Sequence, residues 1–302
     1  MQYEEIVDLW AEIFGREEAL LEKPQIDGSE TKWNRDFMFV AYEGEEVVGT
    51  IHATFPKDNM SICGLSGMCT HPLVRGTGLG RTLFQRMAEE TEALGAEITF
   101  LGTSNPIAAK LYHSCGFSFL PGSNVMARFK AGDRIDMDRR FFMNPPENVR
   151  IADGSPSMRI PLIPFVLYRG PHFLMDCNTG IFSSDAVTQV SCMGLYPRYQ
   201  DLSEKGGSWY VAFDAASGIP GALLSVMPTE EGTRADFFYT EGFQTAAETL
   251  LDTYADSSEV YFTVSERDLA KQELLKKKGY RAAGKTVETV REFLIPCVKY
   301  GK

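Results

Sequence analysis

Apolar positions recur at helical spacing over residues 4–14, where Ile6, Leu9, Trp10, Ile13 and Phe14 predict an amphipathic helix and Gly15 is placed to close it. Two β-rich runs follow, FMFVAY (37–42) and VVGTIHATF (47–55), separated by EGEE, and predict a hairpin. MSICGLSGMCT (60–70) reads as a further strand of small residues. Behind the stretch THPLVRGTGLGR (70–81), Leu79, Leu83, Met87 and Leu94 lie along one helical stripe that Gly95 ends. EITFLGT (97–103) is a strand, and Asn105-Pro106 is an N-cap followed by proline at N1. Ala108, Leu111, Tyr112 and Cys115 share one face of that helix, Gly116 stops it, and FSFL and NVMARFK close the run as a strand pair. Alternating strands and helices imply an α/β chain, a mixed sheet flanked by helices on both faces.

The same order occurs twice. FMFVAYEGEEVVGTIHATFP (37–56) parallels SWYVAFDAASGIPGALLSVMP (208–228), and EITFLGTSNPIAAKLYHSCGF (97–117) parallels EVYFTVSERDLAKQELLKKKGY (259–280). We therefore expect two tandem domains of one fold, 1–132 and 149–302, joined by a charged, proline-bearing linker over 133–148. The second copy is shorter where the glycine loop of the first stands, offering ADFFYTEGFQTAAETLL with one glycine and no arginine ahead of it. Near Arg267 and Leu274 or Leu275 it also lacks counterparts of Asn105 and Tyr112. IPLIPFVLYRGPHFLMDC (160–177) reads as a core helix opening the second copy, or as the lining of a groove for a bulky substrate.

Composition narrows the function classes. Of 302 residues 44% are hydrophobic and 24% charged, an ordinary globular profile, and the net charge of −11 disfavours a phosphate backbone as partner. The acidic N-terminus has no signal-peptide pattern, and the longest apolar stretch is short and broken by prolines, so neither a membrane span nor export is expected. Six cysteines form no C-x-x-C pair, which fits buried free thiols in a reducing cytoplasm better than disulfides or zinc.

The candidate chemistry sits in the glycine loop. Gly76, Gly78 and Gly80 let a ligand touch the backbone, and the helix start behind them carries about half a positive charge, so the loop is an anion site with Arg75 and Arg81 at its rim. The spacing Arg-x-x-Gly-x-Gly (Arg75, Gly78, Gly80), followed at the right distance by SNPIAAKLYHSCGF, resembles the GCN5-related N-acetyltransferase (GNAT) family, well over residues 1 to about 130 and weakly over 149–302. A dinucleotide fold fits less well, because the glycine spacing differs and a hairpin rather than a βαβ unit comes first; a Walker loop needs a Gly-Lys-Ser/Thr that is absent.

The resemblance implies roles at matched positions only. Backbone amides of Gly76, Thr77, Gly78, Leu79, Gly80 and Arg81 would hold the pyrophosphate of acetyl-coenzyme A, Arg75 would add charge, and the strand edge at Met68, Cys69 and Thr70 would bond the pantetheine arm as an added strand. Asn105 would contact the cofactor near its pantetheine or thioester region, and Tyr112 would be the general acid. A phenol, with a reference pKa of about 10, can protonate a departing thiolate whose thiol has one of about 8.5. The family often places a carboxylate on the strand before the loop, yet residues 60–70 contain no Asp or Glu. His52, one strand earlier, either reaches the acceptor side through water or is a satisfied structural histidine. The expectation is a cytoplasmic, metal-independent N-acetyltransferase acting on a primary amine of a small molecule or peptide, with a cationic acceptor favoured by the acidic balance. A non-catalytic acyl-coenzyme A-binding or regulatory module is the alternative.

Overall fold

In a computed structural model of the chain, residues 3–132, 135, 136, 139, 145–167, 174–183, 192–290 and 292–302 are described. The chain divides into two compact units. Unit 1 takes Met1–Asp133 together with Ser155–Ile163 and Val190–Gly194; unit 2 takes Arg134–Gly154, Pro164–Gln189 and Leu195–Lys302.

Unit 1 begins with α1 (Tyr3–Phe14) and α2 (Arg16–Glu22). Gly15, at φ +96°, ends α1 and also caps α2, so one left-handed residue serves two helices. The hairpin is β1 (Asn34–Glu43) and β2 (Glu46–Pro56), followed by β3 (Ile62–Thr70), α3 (Leu79–Ala93), β4 (Ile98–Gly102), α4 (Pro106–Ser114), β5 (Ser118–Phe119) and β6 (Val125–Phe129). Six strands form one sheet in the order β1-β2-β3-β4-β6-β5. Period-two alternation on β2 separates the faces. Ile51, Ala53 and Phe55 pack under α3 and α4 with Leu83, Phe84, Met87 and Tyr112, whereas Thr50 bonds Trp10 of α1 and Thr54 bonds Gln25 just beyond α2.

The small residues of β3 answer to packing. A Cβ on Gly64 would meet Ile160 Cδ1 at 2.4 Å, and one on Gly67, whose φ is +56°, would meet Trp10 Cζ2 at 2.4 Å. A Cβ on Gly102 would stand 2.9 Å from Cys192 Sγ. Residues 155–163 and 192–194 thus press on the middle of unit 1, and the buried guanidinium of Arg159 is held by both carboxylate oxygens of buried Glu30, with Nε at 3.0 Å.

Unit 2 contains β7 (Val149–Asp153), a short helix α5 (Leu162–Leu167) whose first residues belong to unit 1, and a small hairpin of β8 (Leu174–Asp176) and β9 (Ile181–Ser183). Then follow α6 (Leu195–Glu204), β10 (Ser208–Asp214), β11 (Pro220–Thr229), β12 (Gly232–Tyr239), α7 (Gln244–Tyr254), β13 (Val260–Ser265), α8 (Leu269–Lys277), β14 (Arg281–Val290) and β15 (Phe293–Gly301). Its seven strands run β14-β15-β13-β12-β11-β10-β7. Stripped of β7, this is the strand order of unit 1, with β10 to β13 standing for β1 to β4, β15 for β6 and β14 for β5. The expected single helix over 160–177 is instead α5, a stretch 168–173 outside the described residues, and β8. Among the described residues no helix is long and apolar enough to cross a membrane.

Candidate active site

The site of unit 1 is built where β3 and β4 part. Their parallel ladder holds only Ile62–Gly64 against Ile98–Phe100. Beyond it β3 continues to Thr70, bonded to β2 alone, with Gly49 opposite Thr70 and Thr50 opposite Cys69. The β4-facing edge at Met68, Cys69 and Thr70 has no strand partner among the described residues. An extended amide chain fits such an edge as an added strand.

The glycine loop closes one end of this gap. Gly76 and Gly78 stand at φ +82° and +90°, a region that side chains rarely adopt, and a Cβ on either would meet nothing within 4 Å. Gly78 caps α3 with no side chain of its own, and of the first amides of this 15-residue helix Leu79 N–H donates to Thr77 Oγ1 at 3.4 Å. The loop is nevertheless braced. Thr77 Oγ1 donates to the Val74 carbonyl at 2.8 Å, Arg75 Nε donates to the Thr70 carbonyl at 3.3 Å, and His71 N–H donates to Val48 at 2.8 Å. Gly80 packs over β3, where a Cβ would meet Met68 Cε at 3.4 Å. Arg81 lies exposed on the first turn. These features fit a bound pyrophosphate: a helix start, two guanidinium groups and a glycine backbone that side chains do not screen.

Across the gap, α4 is capped by Asn105, whose Oδ1 accepts from Ile107 N at 2.9 Å and Ala108 N at 3.4 Å. Tyr112 lies two turns on, 6% exposed and stacked on Phe84 with ring centroids 4.5 Å apart. Its hydroxyl makes no hydrogen bond to protein among the described residues. Burial, with a smaller contribution from the Cys69 thiol, pushes its pKa up to about 12. The phenol therefore holds its proton throughout the neutral range.

His52 stands on the other face of the sheet, the one covered by α1 and α2, and is not brought together with Tyr112. It is 0% exposed; Nδ1 lies 3.2 Å from Ser66 Oγ and Nε2 lies 3.1 Å from Asp36 Oδ1. The latter contact is poorly aligned, and Nε2 has no hydrogen-bond partner. Ser66 is half-buried at the point where β3 leaves β4, and Asp36 also accepts from Thr54 Oγ1 at 2.8 Å. The sequence reading missed Ser66 and Asp36. Their signal was register: Ser66 faces His52 across the β2–β3 pair, a relation that no spacing along the chain displays.

Unit 2 lacks these parts. A single turn over Glu241–Phe243 stands in for the glycine loop, and α7 is entered from Phe243 without a side-chain cap. Aligning the helix caps, Asp268 takes the place of Asn105, and buried Leu275 that of Tyr112.

A family model described as an acetyltransferase (GNAT) domain matches residues 34–119. A search of curated protein sequences finds no match. Solved structures similar to the chain include an acetyltransferase from Streptococcus agalactiae, 22% identical over 41% of this chain and 89% of its own, with a TM-score of 0.35. A GNAT-family acetyltransferase from Streptococcus pneumoniae is 15% identical over 51% of this chain and 99% of its own, with a TM-score of 0.36. The ribosomal-protein-S5-alanine acetyltransferase from Vibrio fischeri is 12% identical over 52% and 93%, with a TM-score of 0.39.

Proposed function

We propose that this chain, whose residues 34–119 form an acetyltransferase domain of the GNAT family, transfers an acetyl group from acetyl-coenzyme A to a primary amine of a small molecule or peptide. Unit 1 carries the reaction, and unit 2 is a degenerate copy that has kept the fold and lost the loop. The amides of Gly76 to Arg81 hold the pyrophosphate, Arg75 and Arg81 neutralise it, and the edge of β3 at Met68, Cys69 and Thr70 lines the pantetheine arm. The amide nitrogen of Asn105 is left to donate once its oxygen has capped α4. Bound acetyl-coenzyme A supplies an acetyl thioester.

The observation that carries this reading is the Tyr112 hydroxyl: protonated at neutral pH, unpartnered by protein, and next to the gap between β3 and β4. As the amine nitrogen bonds the acetyl carbon and the carbon–sulfur bond breaks, this phenol gives its proton to the departing thiolate. The amine's own proton leaves on the opposite face. There Ser66 Oγ stands at the gap, His52 accepts through Nδ1, and Asp36 beside Nε2 steadies the resulting cation. This array takes the place of the carboxylate that β3 lacks. Acid and base on opposite faces, with an open slot between them, suit a reaction in which one substrate enters from each side. The acidic balance of the chain favours a cationic acceptor.

The test is release of free thiol, measured with a panel of amines. Tyr112→Phe should lower kcat by roughly a hundredfold, within the range of general acid catalysis, and leave coenzyme A affinity unchanged. Unimpaired turnover in Tyr112→Phe removes the proposed acid. Coenzyme A binding without thiol release for any amine supports instead an acyl-coenzyme A sensor, a reading favoured by the absent carboxylate on β3.

A further inference from the structure

The two sides of the unit 2 sheet end differently. On one side β7, five residues long, covers β10; on the other β14 runs for ten residues with no strand beyond it among the described residues. In unit 1 the corresponding strand, β5, has two residues. The degenerate copy has thus lengthened an edge that the first copy keeps short, and β14 is exposed along most of its length. A long open edge presents unpaired amides and carbonyls, and proteins ordinarily guard such edges with proline or outward charge. β14 holds no proline, and its Lys285 is turned onto Glu266 of its own unit at 2.8 Å.

Register shows which groups are open. Val287 stands opposite Pro296, which has no N–H and whose carbonyl accepts from Glu266 N at 2.9 Å on the β13 side. Val287 and Pro296 are therefore a non-bonded pair, and Val287 directs its own N–H and carbonyl away from the sheet. By alternation Lys285 and Thr289 do the same. Val287 is 58% exposed, and Leu294, opposite Thr289 and so on the same face, is 71% exposed. On the other face Glu288 is half-buried, and burial pushes its carboxyl up even with Arg234 at 4.0 Å. That distance is too long for a hydrogen bond, and the carboxylate accepts none among the described residues.

We propose that β14 is a homodimer edge, at which two copies of the chain pair β14 with β14, antiparallel, about a two-fold axis at Val287. The axis sets Val287 opposite Val287, Lys285 opposite Thr289, and Thr286 opposite Glu288. The first two are bonded pairs made from the open groups. The third offers each Glu288 carboxylate a hydroxyl donor, the partner's Thr286. No like charges are opposed. An axis at Lys285 or Glu288 would set that residue against itself, and one at Thr286 would set Glu288 against Gly284 and leave it without a donor. This self-complementarity points to a second copy rather than an unrelated strand. The edge is independent of acetyl transfer, since no residue assigned to that reaction lies on β14.

The test is sedimentation velocity of the full chain at physiological salt, over roughly 1–200 µM, a range that suits a small and weak interface. A reversible monomer–dimer equilibrium is expected. Val287→Pro should abolish it by removing the amides at the axis, and an edge strand tolerates proline where the N–H faces solvent. Thr289→Glu should tighten the dimer roughly fivefold and Thr289→Lys should loosen it by a similar factor, because each acts twice opposite the partner's Lys285. Far-UV circular dichroism checks the fold of each variant, and the Thr289 pair, at an exposed position, keeps the test readable if Val287→Pro misfolds. The proposal is overturned by a chain monomeric throughout the range, by a dimer that persists in folded Val287→Pro, or by Thr289→Glu and Thr289→Lys moving the equilibrium the same way or not at all.

Discussion

Asp176 offers a quantitative check on the interior of unit 2. Its side chain is fully buried and accepts from Ser225 Oγ at 2.9 Å, Asn178 N at 2.9 Å and Tyr199 OH at 3.1 Å. Burial first, and the neighbouring Asp236 second, raise its pKa from 3.8 to about 6. A raised carboxylate pKa means that the folded state holds the proton more tightly than the unfolded one. Its stabilising contribution is therefore present below about pH 4 and lost as pH rises through about 6. The whole shift is worth about 3 kcal/mol, of which about 2 kcal/mol falls between pH 4.5 and 7.5. Asp176→Asn removes the ionisation and keeps the shape: the amide oxygen still accepts from Ser225 and Asn178, and the Tyr199 hydroxyl can turn to accept from the amide nitrogen. The variant should be about 2 kcal/mol better placed relative to the parent at pH 7.5 than at pH 4.5. Urea unfolding followed by ¹⁹F NMR of fluorotryptophan resolves Trp209, stacked on Tyr199 at 4.5 Å, from Trp10 and Trp33 of unit 1. An equal effect of the substitution at both pH values, or a greater cost at pH 7.5, would refute the reasoning.

Gly78→Val should abolish coenzyme A binding, measured by calorimetry, and cost unit 1 about 1–3 kcal/mol, since a β-branched residue is strained at φ +90° although its Cβ meets nothing. Gly64→Ala should destabilise unit 1 by about 1–3 kcal/mol through the contact with Ile160 Cδ1, and Ile160→Val, which lacks that atom, should recover much of the loss in denaturant titrations of the double variant. Arg159→Met should cost about 3–5 kcal/mol by stranding the buried Glu30 carboxylate, and adding Glu30→Leu should restore part of it. In a pH profile of kcat, Tyr112 should give no alkaline fall below about pH 11, because burial holds the phenol at about 12; a descending limb near pH 9 that Tyr112→Phe removes would contradict the assignment.

Local signals in the chain predicted most of the fold. The hairpins, the helix behind the glycine loop and the Asn105-Pro106 helix start are all fixed by periodicity or by a capping residue, and each stands within a few residues of its expected place. The second helix over Arg16–Glu22 went unread because Gly15 looked like an end and is also a beginning. The small residues of β3 were legible, but not that Gly64 and Gly67 make room for Ile160 and Trp10. The Ser66, His52 and Asp36 array belongs to three strands and depends on register, and the cluster of Met175, Asp176, Asp236 and Lys271 joins residues up to 96 positions apart. Tertiary contacts of this kind leave no periodic trace in the chain.

The return of residues 155–163 and 192–194 to unit 1 bears on how the chain is made. Synthesis runs from the N-terminus at about 5–20 residues per second, and a leading domain can ordinarily fold while the rest is still being made. Here the glycine loop and both of its flanking strands emerge early, yet Glu30 waits for Arg159, Gly64 for Ile160 and Gly102 for Cys192. The nascent unit is thus complete in sequence motifs long before it is complete in structure, and β7 of unit 2 has been synthesised before the first unit can finish closing.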